Sequence, residues 1–327
     1  MKSLRWGVMS TAKIAREKVI PGILGAANAQ LVAIASRDRA AARQVADSFD
    51  IPTAHGSYED LLHDPEIDAV YIPLPNHMHL EWTERAARAG KHVLCEKPLG
   101  LNVDEARRMH ATAESEGIVL LEAFMYRFHP QWQAVFEMVE SGRIGDLVSV
   151  QSWFSYFNDD PTNIRNVADW GGGALMDIGC YCIHVARSLF GTETIGMQAQ
   201  MIRDPDSGVD ILTTAMLDFG TGHSQFTVGT RVEPDQHVHI YGTEGRIEVE
   251  IPFNPAPDQT TRVRLTTGRT SPLDPQTETL TFSPVDHYSL EVEAIGHAVL
   301  DSHPLANSAA DSAANMAVID RLFESAG

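Results

Sequence analysis

The first 122 residues alternate short β-rich runs with helical patterns, and this alternation constrains the fold more than any other feature. Parallel strands need a crossover between them, so a chain that returns to a new strand after each helix builds a parallel sheet. Candidate strands are Leu4–Met9, Gln30–Ala35, Thr53–Ala54, Ala69–Ile72, His92–Cys95 and Val119–Glu122. Candidate helices are Arg39–Ser48, His77–Ala89 and Asn102–Glu116. Gly90 and Gly117 stand where left-handed C-terminal caps are expected, and Asn102 with Glu105 three residues on reads as an N-cap. The expectation is an α/β Rossmann-type domain over residues 1–122, doubly wound, with helices on both faces of a mostly parallel sheet.

After about residue 123 the pattern changes. A helix is expected at Pro130–Glu140, a strand at Leu147–Phe157, and a polar loop at Asn158–Asp169. Gly171, Gly172 and Gly173 then lead into a helix at Ala174–Phe190. Seven strand-like runs follow without intervening helices: Ile195–Ile202, Asp210–Phe219, His223–Arg231, His237–Tyr241, Arg246–Ile251, Thr261–Thr266 and Glu278–Phe282. Such a succession predicts a large open, mostly antiparallel sheet in an α+β domain over residues 123–327. Helices at His287–Ser302 and Ser308–Ser325 close the chain.

At 327 residues and 43% hydrophobic content, the chain suits two packed domains. No apolar run approaches the roughly 20 residues of a membrane span. The N-terminal segment lacks the charged start and apolar stretch of a signal peptide, so a cytoplasmic location is expected. Cys95, Cys180 and Cys182 are odd in number and form no C-x-x-C pair, which points to buried free thiols and away from a disulfide framework or zinc site. His77 with His79 and His237 with His239 lack further ligand candidates, so no metal is expected. A net charge of −19 disfavours nucleic acid and anionic membranes as partners. It also makes each basic residue near a candidate anion site informative.

The first expected strand ends in Gly7-Val8-Met9-Ser10-Thr11-Ala12, a degraded G-x-G-x-x-G that opens a helix. There, backbone N–H groups can hold a pyrophosphate, although an ordinary strand-to-helix turn has the same pattern. At the end of the second strand, NAD-binding units usually carry a carboxylate for the ribose hydroxyls. This chain has Ser36 and Arg37 there. Ser36 can hydrogen-bond a 2′-phosphate and Arg37 can pair with it, which favours NADP(H), with Asp38 as a countervailing charge. The fifth strand runs into Cys95-Glu96-Lys97-Pro98. Lys97 thus lies beyond the carboxyl end of a strand, where open α/β sheets bind their ligands.

On these residues the chain resembles the glucose–fructose oxidoreductase, inositol dehydrogenase and rhizopine-catabolism family over essentially its whole length. The landmarks are Gly7–Ala12, Tyr71–His77, Ala89–Pro98 and Gly171–Gly179. Within that family, the segments Leu4–Gly7, Ala35–Asp38 and Asp177–Cys182 resemble the branch of dimeric dihydrodiol dehydrogenase and NADP-dependent D-xylose dehydrogenase. The resemblance implies that Lys97 is catalytic and that Glu96 helps hold the nicotinamide ribose. It implies that Asn76 lies near the nicotinamide, with Pro73 and His79 also in the cofactor-binding set. Tyr181 stands where many members carry histidine, which places the chain with the aldose and dihydrodiol branch.

Asp177, Tyr181 and His184 are spaced by four and three, so a helix presents them on one face. By spacing alone, a polar stripe satisfied within the domain interface is the preferred reading. With Lys97 in view, the face is expected to serve the nicotinamide and the substrate. Tyr181 is the best acid/base: a free phenol titrates near about 10, and a nearby ammonium lowers that value. Asp177 could bind a substrate hydroxyl or orient Lys97, and His184 is expected to act through its neighbours near the substrate. Arg127, in the segment Met125–Pro130, could bind substrate hydroxyls or belong to a packing cluster.

The activity expected is hydride transfer between NADP(H) and a sugar or sugar-derived polyol, foremost oxidation of an aldose such as D-xylose or D-glucose at the anomeric carbon. Reduction of a keto sugar or dicarbonyl, as by a 1,5-anhydrofructose reductase, is a neighbouring reading, as is trans-dihydrodiol oxidation. An NAD-dependent glycosidase and a non-catalytic cofactor-sensing regulator are alternatives that Ser36, Arg37, Lys97 and Tyr181 together oppose. An open sheet face would leave apolar surface in water, so a homodimer or homotetramer through the C-terminal sheet is expected.

Overall fold

The computed structural model describes residues 2–268, 276–305 and 309–326. The chain divides into two compact units, Met1–Met125 with Asp286–Met316, and Tyr126–Val285 with Ala317–Gly327.

The first unit is built on six parallel strands: β1 (Leu4–Met9), β2 (Ala29–Ala35), β3 (Thr53–His55), β4 (Ala69–Ile72), β5 (His92–Cys95) and β6 (Leu120–Glu122). Their order is β3-β2-β1-β4-β5-β6. This is the doubly wound Rossmann order, and its direction reverses between β1 and β4. The central strands read as continuous apolar runs because both faces are covered: Val8, Met9, Val70, Tyr71, Ile72, Val93, Leu94 and Cys95 are all buried. Between the strands run α1 (Ile20–Gly25), α2 (Arg39–Ser48), α3 (Tyr58–His63), α4 (His79–Arg88) and α5 (Val103–Glu116). Asn102 caps α5 by accepting the Glu105 N–H at 3.0 Å, and Gly117 ends it in the left-handed region, as the sequence predicts. The short α3 escapes the sequence reading; its six residues are capped by Ser57.

In the second unit, α6 (Pro130–Glu140) and α7 (Cys180–Phe190) accompany an eight-stranded sheet. Its strands are β7 (Leu147–Phe157), β8 (Gly196–Arg203), β9 (Asp210–Asp218), β10 (His223–Gly229), β11 (Arg231–Gly242), β12 (Gly245–Val249), β13 (Thr261–Thr267) and β14 (Gln276–Phe282). The order is β14-β13-β12-β11-β7-β10-β9-β8. All pairs are antiparallel except β7 with β10. That pair is parallel because α7 and the β8–β9 hairpin intervene between the two strands. One face is core: Val150, Phe154, Phe226, Val228, Val238, Ile240, Ile247 and Val249 are buried. The other presents half-exposed Trp153, His237, His239 and Tyr241, with Met216 and Ile202 at least half exposed. β11 is more than twice the length expected, because Pro234 and its acidic neighbours interrupt the apolar alternation. They fall within a register shift between Arg231 and Asp235.

The chain ends in α8 (His287–Asp301) and α9 (Ala309–Ala326). Ser308, the expected start of the last helix, lies outside the described residues. A boundary at 122/123 assigns all later residues to the second domain, whereas residues 286–316 group with the first unit. Small residues make this return feasible. A Cβ on Gly22 of α1 would lie 2.8 Å from the Tyr288 Cβ, so the glycine lets α8 pack directly on α1. Asn28 donates to the Glu293 carbonyl at 2.9 Å, and the Ala27 N–H donates to the Glu293 carboxylate at 2.8 Å. Periodicity identifies such a helix but not the distant surface it covers.

Candidate active site

The turn after β1 carries the candidate pyrophosphate loop. Gly7 lies inside β1, where its missing side chain makes room for Ile67 and Leu61 at 3.0–3.3 Å. A side chain here would crowd those two residues, and the segment open to a ligand is Ser10–Ala12. Ser10 has φ +132°, a conformation that favours glycine. Its hydroxyl accepts the Ala12 N–H at 3.1 Å, a local compensation that a glycine could not offer. The Thr11 carbonyl accepts from Arg16, and Ala12 opens the helix by accepting the Arg16 N–H. Residues Ala15–Val19 form a π turn ahead of α1. Pro21 accounts for it: proline lacks the N–H and its ring collides with the carbonyl four residues back.

At the end of β2, Arg37 is exposed and Ser36 half-buried. Asp38 is committed elsewhere, because its Oδ1 caps α2 by accepting from Ala40 at 2.8 Å and Ala41 at 3.4 Å. The carboxylate that seemed to oppose a 2′-phosphate is thus a helix cap. No salt bridge involves Arg37 among the described residues. This donor set suits an anion.

The Glu96-Lys97-Pro98 turn follows β5, and the Lys97–Pro98 bond is cis. Three buried polar side chains pin the turn. Tyr71, wholly buried on β4, donates to Glu96 at 2.5 Å. Burial, then the charge of Glu96, holds the Tyr71 phenol well above its usual pKa, so it remains a donor. Glu122 on β6 is 2% exposed and accepts the Leu99 N–H at 2.9 Å. His79 has no exposed surface, and its ring nitrogens lie 3.0 Å from the Pro98 carbonyl and 2.8 Å from the Leu74 carbonyl. Burial pushes its pKa down to about 4, so at neutral pH the ring is uncharged and donates to one of them. The direct cofactor contact expected of His79 gives way to support of the turn, since an enclosed ring cannot meet a ligand. Pro73 is buried at the end of β4, and Asn76 is half-buried at the start of a 3₁₀ turn, Asn76–Met78. Tyr71 and Glu122 were not singled out as supports; their positions inside apolar strands give no sign of it.

In the second unit, Leu175–Gly179 forms a π turn before α7. Gly171 has φ +78° and Gly173 φ +114°, and a Cβ on Gly172 would lie 2.5 Å from the Arg165 carbonyl. The Gly172 and Gly173 N–H groups donate to the Val167 and Arg165 carbonyls, so the glycines hold the 158–169 loop against the helix start. Asp177 Oδ2 accepts from Tyr156 at 2.6 Å and from Arg165 Nε at 2.8 Å. Burial and the Asp177 charge raise the Tyr156 pKa far above its usual value, so it too stays a donor. Asp177 is therefore held as an acceptor. Tyr156 and Arg165 escape the sequence reading because one lies in a strand and the other in a loop without a motif.

Tyr181 is 5% exposed, with its ring 5.3 Å from Phe253, 5.8 Å from Phe154 and 5.8 Å from Tyr126 by centroids. His184 is 1% exposed and forms a short hydrogen bond through Nδ1 to the Tyr126 hydroxyl. It therefore holds the Tyr126 hydroxyl from the neighbouring helix. Arg127 lies over the Phe136 ring at 4.4 Å, and its Nε and Nη1 are buried without a hydrogen-bond partner among the described residues. The three cysteines are buried and free. Among the described residues no group of three or more His, Cys, Asp or Glu could hold a metal. No helix there is long and apolar enough to cross a membrane.

A Rossmann sheet in the 3-2-1-4-5-6 order, joined in one chain to a mostly antiparallel eight-stranded sheet, defines an NAD(P)-binding oxidoreductase class. The chain belongs to the GFO/IDH/MocA family, that of glucose–fructose oxidoreductase and inositol dehydrogenase. A family model described as an oxidoreductase family with an NAD-binding Rossmann fold matches residues 4–124, and the GFO/IDH/MocA C-terminal domain matches residues 132–248. The chain is 39% identical to a D-xylose 1-dehydrogenase (NADP(+)) of Haloferax volcanii, over 99% of this chain and 97% of that protein. It is 34% identical to the trans-1,2-dihydrobenzene-1,2-diol dehydrogenase of Mus musculus, over 76% and 75% of the two chains. A crystal structure of a 3-ketoreductase from Actinomadura kijaniata, in complex with NADP and TDP-benzene, superposes with a TM-score of 0.90 at 30% identity, covering 99% and 98%.

The Ser10 conformation gives a test of the loop. Ser10→Gly relieves roughly 1 kcal/mol of strain and loses a hydrogen bond of similar size, so thermal stability and cofactor affinity should both change little. Ser10→Val offers no acceptor and resists a positive φ. Fluorescence titration should find its cofactor affinity reduced at least about tenfold, a loss of some 1.4 kcal/mol.

Proposed function

We propose that this enzyme transfers hydride between NADP(H) and a sugar, with oxidation of an aldose at its anomeric carbon as the main activity. The observation that carries the reading is the pinned turn at Lys97. Three polar side chains are buried around one short segment, an arrangement that fixes the backbone bearing Lys97 and that packing alone would not require. The D-xylose 1-dehydrogenase relative supports the substrate class and the cofactor. When bound, NADP⁺ supplies the hydride acceptor. Ser10, Thr11 and Ala12 would face the pyrophosphate, Ser36 and Arg37 the 2′-phosphate, and Pro73, Asn76 and Glu96 the nicotinamide ribose side. Tyr181 takes the proton of the substrate hydroxyl as the C–H bond is broken, Lys97 serves the same step by favouring the phenolate, and Asp177 accepts a hydrogen bond from a neighbouring hydroxyl. Arg127, with two buried donors lacking acceptors, is assigned to substrate hydroxyls. The 3-ketoreductase relative favours one second reading, reduction of a keto sugar by the same groups run in reverse. The buried free thiols support a cytoplasmic enzyme.

Arg37→Ala should weaken NADP binding while leaving NAD binding nearly unchanged; equal losses in paired titrations would remove the basis for the cofactor choice. Assembly as a homodimer or homotetramer through the half-exposed sheet face is expected, and light scattering that found a monomer at micromolar protein would rule it out. For the chemical step, Tyr181→Phe keeps the ring packing and should lower kcat by roughly 10²–10⁴-fold while sparing NADP binding. The basic limb of the pH–rate profile for oxidation should disappear with it. Lys97→Met should also be severe, and the double variant should lose less than the product of the single losses. Near-normal turnover with an unchanged profile in Tyr181→Phe would reduce that residue to packing.

A further inference from the structure

The helix that carries Asp177 and Tyr181 starts without a local cap. Its N-terminal approach is Gly171-Gly172-Gly173, which has no side chain to accept the first N–H groups. The acceptor comes instead from β9. Asp210, 1% exposed, takes the Leu175 N–H on Oδ2 at 2.8 Å, and the Thr213 hydroxyl donates to the same oxygen at 2.5 Å. Its Oδ1 occupies the place a side chain at residue 173 would fill, 2.1 Å from a Cβ built there. Oδ1 is buried and has no hydrogen-bond partner among the described residues. The glycine and the carboxylate therefore form one arrangement: Gly173 vacates the cap position, and a strand of the sheet supplies the cap. A serine or asparagine at the helix start would satisfy the same N–H with no buried charge, so capping alone does not explain Asp210.

We propose that Asp210 is a positioning residue for catalysis, anchoring the start of the helix to β9 so that Tyr181 and Asp177 keep their places relative to the sheet. This rests on the roles given to those two residues above. A charged acceptor binds an N–H about twice as strongly as a neutral one, and the helix N-terminus favours negative charge. Tyr156, whose hydroxyl donates to Asp177, also feels the Asp210 charge, so the anchor and the substrate-facing carboxylate are electrostatically linked. The charged and titratable groups that face Asp210 are Arg203 on β8, opposite it in register, and Tyr156 on β7. Burial outweighs the Thr213 and Leu175 hydrogen bonds and the Arg203 charge and pushes its pKa up to about 6. The anchor is thus ionised above that pH and neutral below it, and activity should fall on the acid side as the charge is lost.

Steady-state kinetics on the full chain across pH 5–9 would test this with three variants. Asp210→Ala should lower kcat at least about tenfold, the loss of a charged hydrogen bond at its lower bound, while NADP affinity stays within twofold or so. Asp210→Asn keeps an acceptor for Leu175 but no charge; its turnover at pH 8 should fall between those of the wild type and Asp210→Ala, near the wild-type level below the limb, and it should lack the acid limb at about pH 6. Thr213→Val removes one stabilising donor at constant shape, and the limb should move up by about one pH unit. A folded Asp210→Ala enzyme with wild-type kcat would overturn the proposal. So would an acid limb left in place in both Asp210→Asn and Thr213→Val, whether or not the alanine variant folds. Tyr181→Phe separates the two readings: if it abolishes the step while the Asp210 variants leave the acid limb untouched, only the anchoring role fails. If Tyr181→Phe is active, the catalytic assignment fails first.

Discussion

A carboxylate taken out of water is costly, and the first unit places such a group, Glu122, where its Oε1 accepts the backbone N–H of Leu99 in the turn that carries Lys97. Much of the local design depends on that contact. It ties β6 to the segment after β5, next to the ring of His79 that meets the Pro98 and Leu74 carbonyls. Tyr71 fixes Glu96 from the other neighbouring strand. Two of these partners come from strands that flank β5 and the third from the first turn of α4, so the backbone that carries Lys97 inherits the rigidity of the sheet rather than the mobility of a loop. Beyond the turn, Glu105 accepts the Leu101 N–H and Asn102 caps α5, which carries the restraint into the following helix.

The second unit reaches the same end by different means. Its helix begins at three glycines, of which Gly172 approaches the 158–169 loop and Gly173 approaches Asp210 too closely for side chains, and the polar groups come from strands and from that loop. Asp177 is held by Tyr156 from β7 and Arg165 from the loop, while Tyr181 sits among the rings of Phe253, Phe154 and Tyr126. The phenol is thus positioned by aromatic packing and the carboxylate by charge-assisted hydrogen bonds. Both units place a π turn just after a loop and ahead of a helix, Ala15–Val19 in one and Leu175–Gly179 in the other. The first follows from Pro21; for the second we have no equally simple cause.

What could be read from the sequence was local in origin. Strand and helix periodicity gave β1, β4, β5, α2, α6 and β7 with their ends in place, and Asn102, Gly90 and Gly117 marked helix ends correctly because capping acts over a few residues. Lys97, Asp177 and Tyr181 stood out because they belong to compact motifs. Their supports did not. Glu122 meets Leu99 across 23 residues, and Asp210 meets Leu175 across 35. Gly7 differs for a related reason: a glycine pattern records which positions lack side chains, not whether packing or a ligand requires it. Asp38 was read by its charge, whereas its geometry makes it a cap. His79 and His184 carried functional chemistry by type, and burial converted both into supports.

The return of residues 286–316 to the first unit has a consequence for how such a chain can be inherited and rearranged. Gly22 and Gly25 of α1 are shaped to receive α8, and Asn28 at the β2 end hydrogen-bonds it, so the surface left by cutting after residue 125 would be apolar and notched. The dinucleotide-binding half is therefore not a cassette that recombination can lift out as one continuous stretch. Any exchange between relatives must carry both of its segments, and the eight-stranded sheet is in effect an insertion within the gene for the other unit.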